Sequence, residues 1–216
     1  MIVTIDGPAG SGKSTVARLL AERLGFRFLD SGALYRCVTL AAIERGVPLS
    51  DGAALGRLAT GLRIAFGEGK TVLLDGVDVT TEIRSERVST NVSEVASKAE
   101  VRSALTGLQR RCAEGADLVC EGRDMGTVIF PLADVKVYLD AAPQTRAERR
   151  RLELSARGED VSIDVLVARM KERDRLDSSR ETAPLRRADD QILVDTSGLT
   201  IDEVVDRLSG LVPPGR

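Results

Sequence analysis

The stretch Gly7-Pro8-Ala9-Gly10-Ser11-Gly12-Lys13-Ser14-Thr15 constrains this chain more than any other. It fits G-x-x-x-x-G-K-[ST], the phosphate-cradling P-loop pattern. The apolar run Ile2-Val3-Thr4-Ile5 precedes it and reads as a buried strand. Val16, Leu19, Leu20 and Leu24 follow at helical spacing on one face, and Gly25 reads as the C-terminal cap. An ordinary glycine-rich turn would lack that strand–loop–helix context. A dinucleotide fingerprint is excluded, because Lys13-Ser14-Thr15 stands where its third glycine belongs. Backbone N–H groups and the positive end of a helix dipole would therefore face an anion. Lys13 supplies a charge for the outer phosphates of a nucleotide, and Ser14 a hydroxyl for Mg2+, held largely through phosphates and water.

The rest of the sequence sets that loop in an alternating β/α chain. Phe26-Arg27-Phe28-Leu29 reads as a second strand, and a helix follows from about Ala33 to Ile43, with Ser31 as its cap. Asp51 caps a third helix with Leu55, Leu58 and Leu62 on one side. Residues 63–80 break the alternation with a small antiparallel meander that includes a turn at 67–70. Helices are expected from about Ile83 to Val95 and from Ala99 to Cys112. Asp117-Leu118-Val119-Cys120 is the next strand and leads into Glu121-Gly122-Arg123-Asp124, then 135–139 is another. A helix from Pro143 to Arg157, a turn at Gly158 and a helix from Ile163 to Leu176 precede a last strand at 192–195 and a last helix at 201–208. Residues 213–216 read as a frayed tail. This order implies a three-layer α/β fold of P-loop type: a parallel sheet with helices on both faces, a β insertion and a helical lid. Ligands then bind beyond the carboxyl ends of the strands. The loops after Ile5, Leu29 and Cys120 fall on that rim.

Composition narrows the chemistry. At 216 residues the chain makes one domain, large enough for a core without disulfides. A core of about 1–35, 115–145 and 188–212 would carry an acceptor-binding arm at about 36–114 and a lid at about 146–180. Histidine is absent, which excludes Ser-His-Asp triads and His-bound zinc. Phosphoryl transfer needs no histidine, since positioning and charge neutralisation do most of the work. A net charge of −2 argues against a dedicated nucleic-acid binder. The three cysteines, Cys37, Cys112 and Cys120, lack metal-like spacing and suit a reducing compartment. No signal peptide or membrane span is expected, so the chain reads as a cytoplasmic protein.

Three polar constellations add to the loop. Arg146, Arg149, Arg150 and Arg157 share one face of their helix. Between Arg146 and Arg187, twelve Lys or Arg stand against nine Asp or Glu, too mild an excess for a nucleic-acid surface. Such arginines are commonly a solvated face, but beside a P-loop a phosphate clamp fits them better. A helix–turn–helix hinged near Gly158 would close over a nucleotide and keep water from competing as acceptor. Arg123-Asp124 is either a surface ion pair or a site in which Arg123 grips an acceptor phosphate and Asp124 accepts from an exocyclic amine. Arg36 adds a second guanidinium. Arg173 and Asp177, one turn apart, are either a simple helix pair or sugar contacts, with Arg180 on a phosphate.

Together, the motifs Ile5 to Thr15, Asp30-Ser31-Gly32-Ala33-Leu34-Tyr35-Arg36, Glu121-Gly122-Arg123-Asp124-Met125-Gly126-Thr127-Val128-Ile129-Phe130-Pro131 and Lys171-Glu172-Arg173-Asp174 with Ala183-Pro184-Leu185 resemble those of the bacterial cytidylate kinases. These are nucleoside monophosphate kinases, and the resemblance runs over nearly the whole chain. It implies transfer of the γ-phosphoryl group of ATP to CMP or dCMP with Mg2+. The chain is read as a monomer that binds these small molecules and neither nucleic acid nor membrane. By the same resemblance, Gly7, Pro8, Ala9, Gly10, Ser11, Gly12, Lys13, Ser14 and Thr15 hold ATP under the lid arginines Arg146, Arg149 and Arg150. Ser31, Tyr35, Arg36, Arg123 and Arg180 line the acceptor site. Ser93, Arg102 and Asp124 read cytosine, and Arg173 and Asp177 touch the sugar. Lys13, Arg123, Arg146 and Arg150 are the expected catalytic groups. Glu121 stands where some relatives have Asp. The alternatives are a P-loop kinase for another acceptor, such as shikimate or gluconate, and a non-catalytic nucleotide-binding switch. A GTPase switch would need an N-K-x-D motif, which the sequence lacks.

Overall fold

The computed structural model describes residues 1–67, 69–156 and 158–213. Glu68 of the expected turn, Arg157 of the aligned arginines and residues 214–216 of the expected tail lie outside the described residues. The chain divides into two compact units, one of residues 1–29 and 113–216, the other of residues 30–112.

The first unit is built on a five-stranded sheet. Its strands are β1 (Ile2–Asp6), β2 (Arg27–Asp30), β6 (Leu118–Gly122), β7 (Val135–Asp140) and β8 (Ile192–Asp195), in the order β2-β6-β1-β7-β8. β6, β1, β7 and β8 run parallel, in register Ile5↔Glu121, Ile5↔Val137 and Leu139↔Val194. Their carboxyl ends therefore share one edge, which puts the segments after Asp6 and Gly122 side by side as expected. Strand alternation gives β1 two unlike faces. Val3 and Ile5 enter an apolar cluster with Val119, Val137, Leu139 and Val194. That cluster is closed by Val16, Ala17, Leu20 and Ala21 of α1 (Lys13–Leu24) and Val204, Val205 and Leu208 of α8 (Ile201–Ser209). Each large side chain buried there contributes about 2 kcal/mol. Thr4 and Asp6 point to the other face and are fully buried. Two further helices, α6 (Pro143–Ser155) and α7 (Ile163–Ser179), form an antiparallel pair with a small core of its own: Ala147, Leu154, Leu166 and Met170.

The second unit holds α2 (Ser31–Glu44), α3 (Gly52–Gly61), α4 (Glu86–Ser97), α5 (Ala99–Arg111) and an antiparallel sheet of β3 (Ile64–Phe66), β4 (Val72–Leu74) and β5 (Val77–Asp78). The meander expected at 63–80 is this sheet.

Several boundaries differ from expectation. Asp30, not Ser31, caps α2: its carboxylate accepts from Ala33 N at 3.0 Å, and Ser31 is already helical. The helix expected from Ile83 is a 3-10 turn, Glu82–Arg84, then a break at Ser85, whose hydroxyl caps α4. β6 extends through Glu121 and Gly122, which are strand residues rather than loop. A single π-helical turn, Met125–Ile129, follows it. α7 continues to Ser179 and so carries Asp177 on the helix. On α1 the buried stripe is Val16, Ala17, Leu20 and Ala21, while Leu19 and Leu24 are only partly covered.

Gly7 is fixed by sterics. It has φ 151°, and a Cβ there would lie 2.0 Å from the Leu139 carbonyl oxygen of the neighbouring strand. A Cβ at Gly198 would meet nothing within 4 Å. Gly7→Ala is expected to lose at least ~3 kcal/mol in urea denaturation, and Gly198→Ala less than ~0.5 kcal/mol. Equal stability of the two variants would contradict this packing.

Candidate active site

The loop between β1 and α1 turns through Gly10 (φ 78°) and Gly12 (φ 91°). No side chain caps α1 and its first turn holds no acidic residue, so the helix start is open to an anion. Lys13 folds back over the loop, donating to the Pro8 carbonyl at 2.7 Å and to Ser11 Oγ at 3.4 Å. Burial pulls its ammonium down to about 7; the Arg123 guanidinium adds to this, and Glu121 opposes it. Ser14 Oγ donates to Glu121 Oε1 at 2.7 Å.

Two arginines of α6 hold the loop from behind. Arg146 is almost wholly buried and donates to the carbonyls of Ala9 (2.9 Å) and Ala141 (3.1 Å) while pairing with Asp174 at 2.7 Å. Arg149 donates to Ser11 O (3.4 Å) and to Thr196 Oγ1 (3.0 Å) and O (2.6 Å). Thr196, just past β8, itself donates to Asp140 O at 3.1 Å. The ends of β7 and β8 are thereby tied to the loop. Arg150 differs from these two, forming a partly exposed pair with Glu153 at 2.9 Å.

The segment after β6 carries the second cluster. Arg123 Nε donates to Asp177 Oδ2 at 2.9 Å. Burial would raise the Asp177 carboxyl, but Arg123, Arg173 and Arg180 outweigh it and hold the group below the usual range. Arg180 approaches Asp124 at 3.9 Å, both side chains being nearly inaccessible. Burial, then the Arg123 guanidinium, pulls Arg173 down to about 10. Lys13, Glu121, Arg123, Arg173 and Asp174 are thus one electrostatic cluster, in which burial and the Arg123 guanidinium weaken the charge of Lys13 and Arg173 while the nearby carboxylates support that of Arg123.

Asp6 sets the position of that segment. Its carboxylate accepts from Met125 N, Gly126 N and Gln191 Nε2, each at 2.8 Å. Gln191 Oε1 in turn accepts from Ala188 N. Burial pushes the Asp6 carboxyl up to about 6, against the pull of the Gly126 and Met125 hydrogen bonds. Gly126 has no room for a side chain, since a Cβ would lie 2.8 Å from Thr4 Oγ1.

The second unit holds the remaining expected residues. Ser31, Tyr35 and Arg36 lie on the first turns of α2, Ser93 on α4 and Arg102 on α5. Arg36 Nη1 donates to Ile83 O and Ser89 Oγ, each at 2.9 Å. The Arg102 guanidinium lies over the Tyr35 ring, 5.3 Å from its centroid, and donates to Ala96 O at 3.1 Å. Arg84 pairs with Asp30 at 3.3 Å.

Asp6, Gln191, Thr196, Asp174 and Gln109 have contacts in the structure that the sequence motifs do not assign. Asp6 left a signal: a charge ending an apolar strand in the middle of a sheet must be buried and paired. Asp174 left one in its spacing from Arg173 and Asp177. Gln191 and Thr196 left none, because their partners lie far away in sequence. The cysteines behave as expected of packing residues: Cys37 and Cys120 are buried and all three are free thiols. Among the described residues, no group of three or more His, Cys, Asp or Glu is placed to hold a metal, and no helix is long and apolar enough to cross a membrane.

Asp6 generates a pH test. A carboxyl raised from 3.8 to about 6 on folding binds its proton more tightly in the folded state. Its contribution is full below the unfolded value, falls as pH rises toward 6 and is flat above. Wild type should therefore lose of the order of 1 kcal/mol relative to Asp6→Asn between pH 5 and pH 7.5 in urea titrations. Parallel pH profiles for the two proteins would contradict the raised value.

Residues 3–213 match the cytidylate kinase family model. The chain is 46% identical over 215 residues to a cytidylate kinase of Geobacter sulfurreducens, covering 98% of this chain and 92% of that one. It is 48% identical over 209 residues to a cytidylate kinase of Vibrio cholerae, covering 95% and 93%. In fold it is similar to the crystal structure of an uncharacterized protein from Eubacterium ventriosum, at 13% identity and TM-score 0.53 over 100% of this chain and 99% of that one.

Proposed function

The chain belongs to the cytidylate kinase family, and on that premise we propose that it transfers the γ-phosphoryl group of ATP to CMP and dCMP, giving CDP and dCDP. The observation that carries this reading is the single cluster formed by Lys13, Arg123, Arg173 and Asp177 beside an open helix start. A phosphate cradle adjoins a second group of guanidinium donors, as transfer between two phosphates requires.

The roles proposed for the site residues are these. Loop N–H groups of residues 7–15 and Lys13 hold the donor's phosphates. An anion on the loop restores the full charge of Lys13 that burial has weakened. Arg146 and Arg149 act chiefly by fixing the loop through its carbonyls, and Arg150, whose pair with Glu153 is partly exposed, swings to the donor. Arg36, Arg123 and Arg180 take the acceptor phosphate, while Ser31 and Tyr35 line its pocket. Arg173 and Asp177 hold the sugar. Ser93, Arg102 and Asp124 read the base: an acceptor and a donor together suit the N4 amine and the bare N3 and O2 of cytosine, and mispair with uracil.

Mg2+ fits the residues present, because Ser14 Oγ and the Glu121 carboxylate form a hard oxygen pair of the kind that ion shares with phosphates and water. When bound, it neutralises charge on the phosphates during transfer. The enzyme acts as a cytoplasmic monomer. Acceptors of the shikimate or gluconate kind are not favoured, since the family match spans 3–213.

A coupled ADP-release assay with CMP, dCMP, UMP, AMP, shikimate and gluconate tests the proposal. CMP and dCMP should lead, with weak UMP turnover. No turnover of CMP, or equal turnover of shikimate, would overturn it. Losing a hydrogen bond to a buried charged group costs about 2 kcal/mol. Asp124→Ala should accordingly shrink the CMP-to-UMP ratio of kcat/KM by roughly 30-fold. An unchanged ratio removes Asp124 from base recognition.

A further inference from the structure

The buried face of α5 carries Val101, Arg102, Leu105 and Gln109. Two of these are polar, and they lie seven residues apart on one face. Gln109 is wholly inaccessible. Its Nε2 donates to the Tyr35 hydroxyl at 3.4 Å, and its Oε1 has no hydrogen-bond partner among the described residues. A buried amide oxygen left in that state costs stability, and a leucine of similar volume would fill the space without that cost. Stability alone therefore gives no reason for glutamine at this position.

Its contact with the Tyr35 hydroxyl gives a reason. A phenol oxygen that accepts from an amide N–H has its own proton turned elsewhere, and its ring is held at the hydroxyl end. The face of that ring is the platform under the Arg102 guanidinium. Arg102 has a second fixed reference in the Ala96 carbonyl. The angle of the Tyr35 ring is thus one of the constraints on its orientation, and Gln109 is one of the groups that hold the hydroxyl end of that ring.

We infer that Gln109 is a positioning residue for recognition of the cytosine base, acting through the Tyr35 ring on the Arg102 guanidinium. This rests on the reading of Tyr35 and Arg102 as acceptor-site residues. Gln109 touches no reacting group. It sets the direction in which Arg102 presents its donors, and so the difference between a base with bare N3 and O2 acceptors and one with an N3–H.

Gln109→Leu separates this role from a packing role. With the orphaned oxygen gone, its melting temperature should equal or exceed that of wild type. Its KM for CMP should rise about fivefold while the KM for ATP moves less than about twofold, and its CMP-to-UMP ratio should fall about fivefold, the scale of a lost cation–π platform. Tyr35→Phe should lower the ratio to a similar degree, and Gln109→Leu/Tyr35→Phe should be no worse than Tyr35→Phe alone, because both act through one ring. Additive effects, or a lowered melting temperature with the two KM values moving together, would overturn the inference. The two readings fail differently. If wild type turns over CMP and Gln109→Leu keeps its KM and its ratio, this inference alone is wrong. If wild type does not turn over CMP, the acceptor-site reading fails and takes this one with it.

Discussion

A carboxylate with no solvent access holds three distant stretches of the chain together. Asp6 ends the central strand β1 immediately before the phosphate loop, and it collects Met125 N, Gly126 N and the Gln191 side chain. Burying a charge is costly unless it is fully hydrogen-bonded. Three donors at 2.8 Å offset that cost only when all three segments are in place, so the arrangement is all-or-none. The rise of the Asp6 carboxyl to about 6 records what burial still exacts. In return, the turn bearing Arg123 and Asp124 is fixed against the loop bearing Lys13 by one side chain.

That fixed geometry makes the electrostatics of the site useful. Lys13, Arg123, Arg173 and Arg180 share a small volume with Glu121, Asp124, Asp174 and Asp177. Arg123–Asp177 and Arg146–Asp174 keep the guanidinium groups aimed. Burial, with the neighbouring Arg123 guanidinium adding to it, nonetheless lowers Lys13 to about 7 and Arg173 to about 10. Cations weakened in this way by burial gain from polyanionic ligands, which restore their charge. Family membership gives the substrate pair, and the clustered cations give the physical reason why that pair suits the site.

Local signals in the sequence carried most of the fold. The P-loop, the alternation of apolar strands and helical stripes, and the turn-rich run at 63–80 each depend on neighbours a few residues apart, and each appears in the structure. Boundaries fared worse where two local options competed. Asp30 and Ser31 are both good caps, and only the backbone decides that Asp30 takes the position. Ser85 breaks what periodicity reads as one helix, and the π turn at Met125–Ile129 has no periodic signature at all. In the site, the charged residues were visible but their partners were not. Arg146 reads as a member of an arginine stripe, yet its contacts are the carbonyls of Ala9 and Ala141 and the carboxylate of Asp174. Gln191 and Thr196 became legible only when strands remote in sequence were laid side by side.

The dependence of the arginine turn on the buried carboxylate can be measured directly by hydrogen exchange at the Met125 and Gly126 amides. Both donate to Asp6 inside the protein. In wild type they should exchange only through global unfolding, with the same denaturant dependence as the amides of β1. In Gln191→Leu, which removes one of the three donors, they should exchange through a local opening that leaves β1 protected. Exchange of these two amides in wild type at the rate of an exposed turn would contradict the account, because Asp6 would then not be what holds the turn.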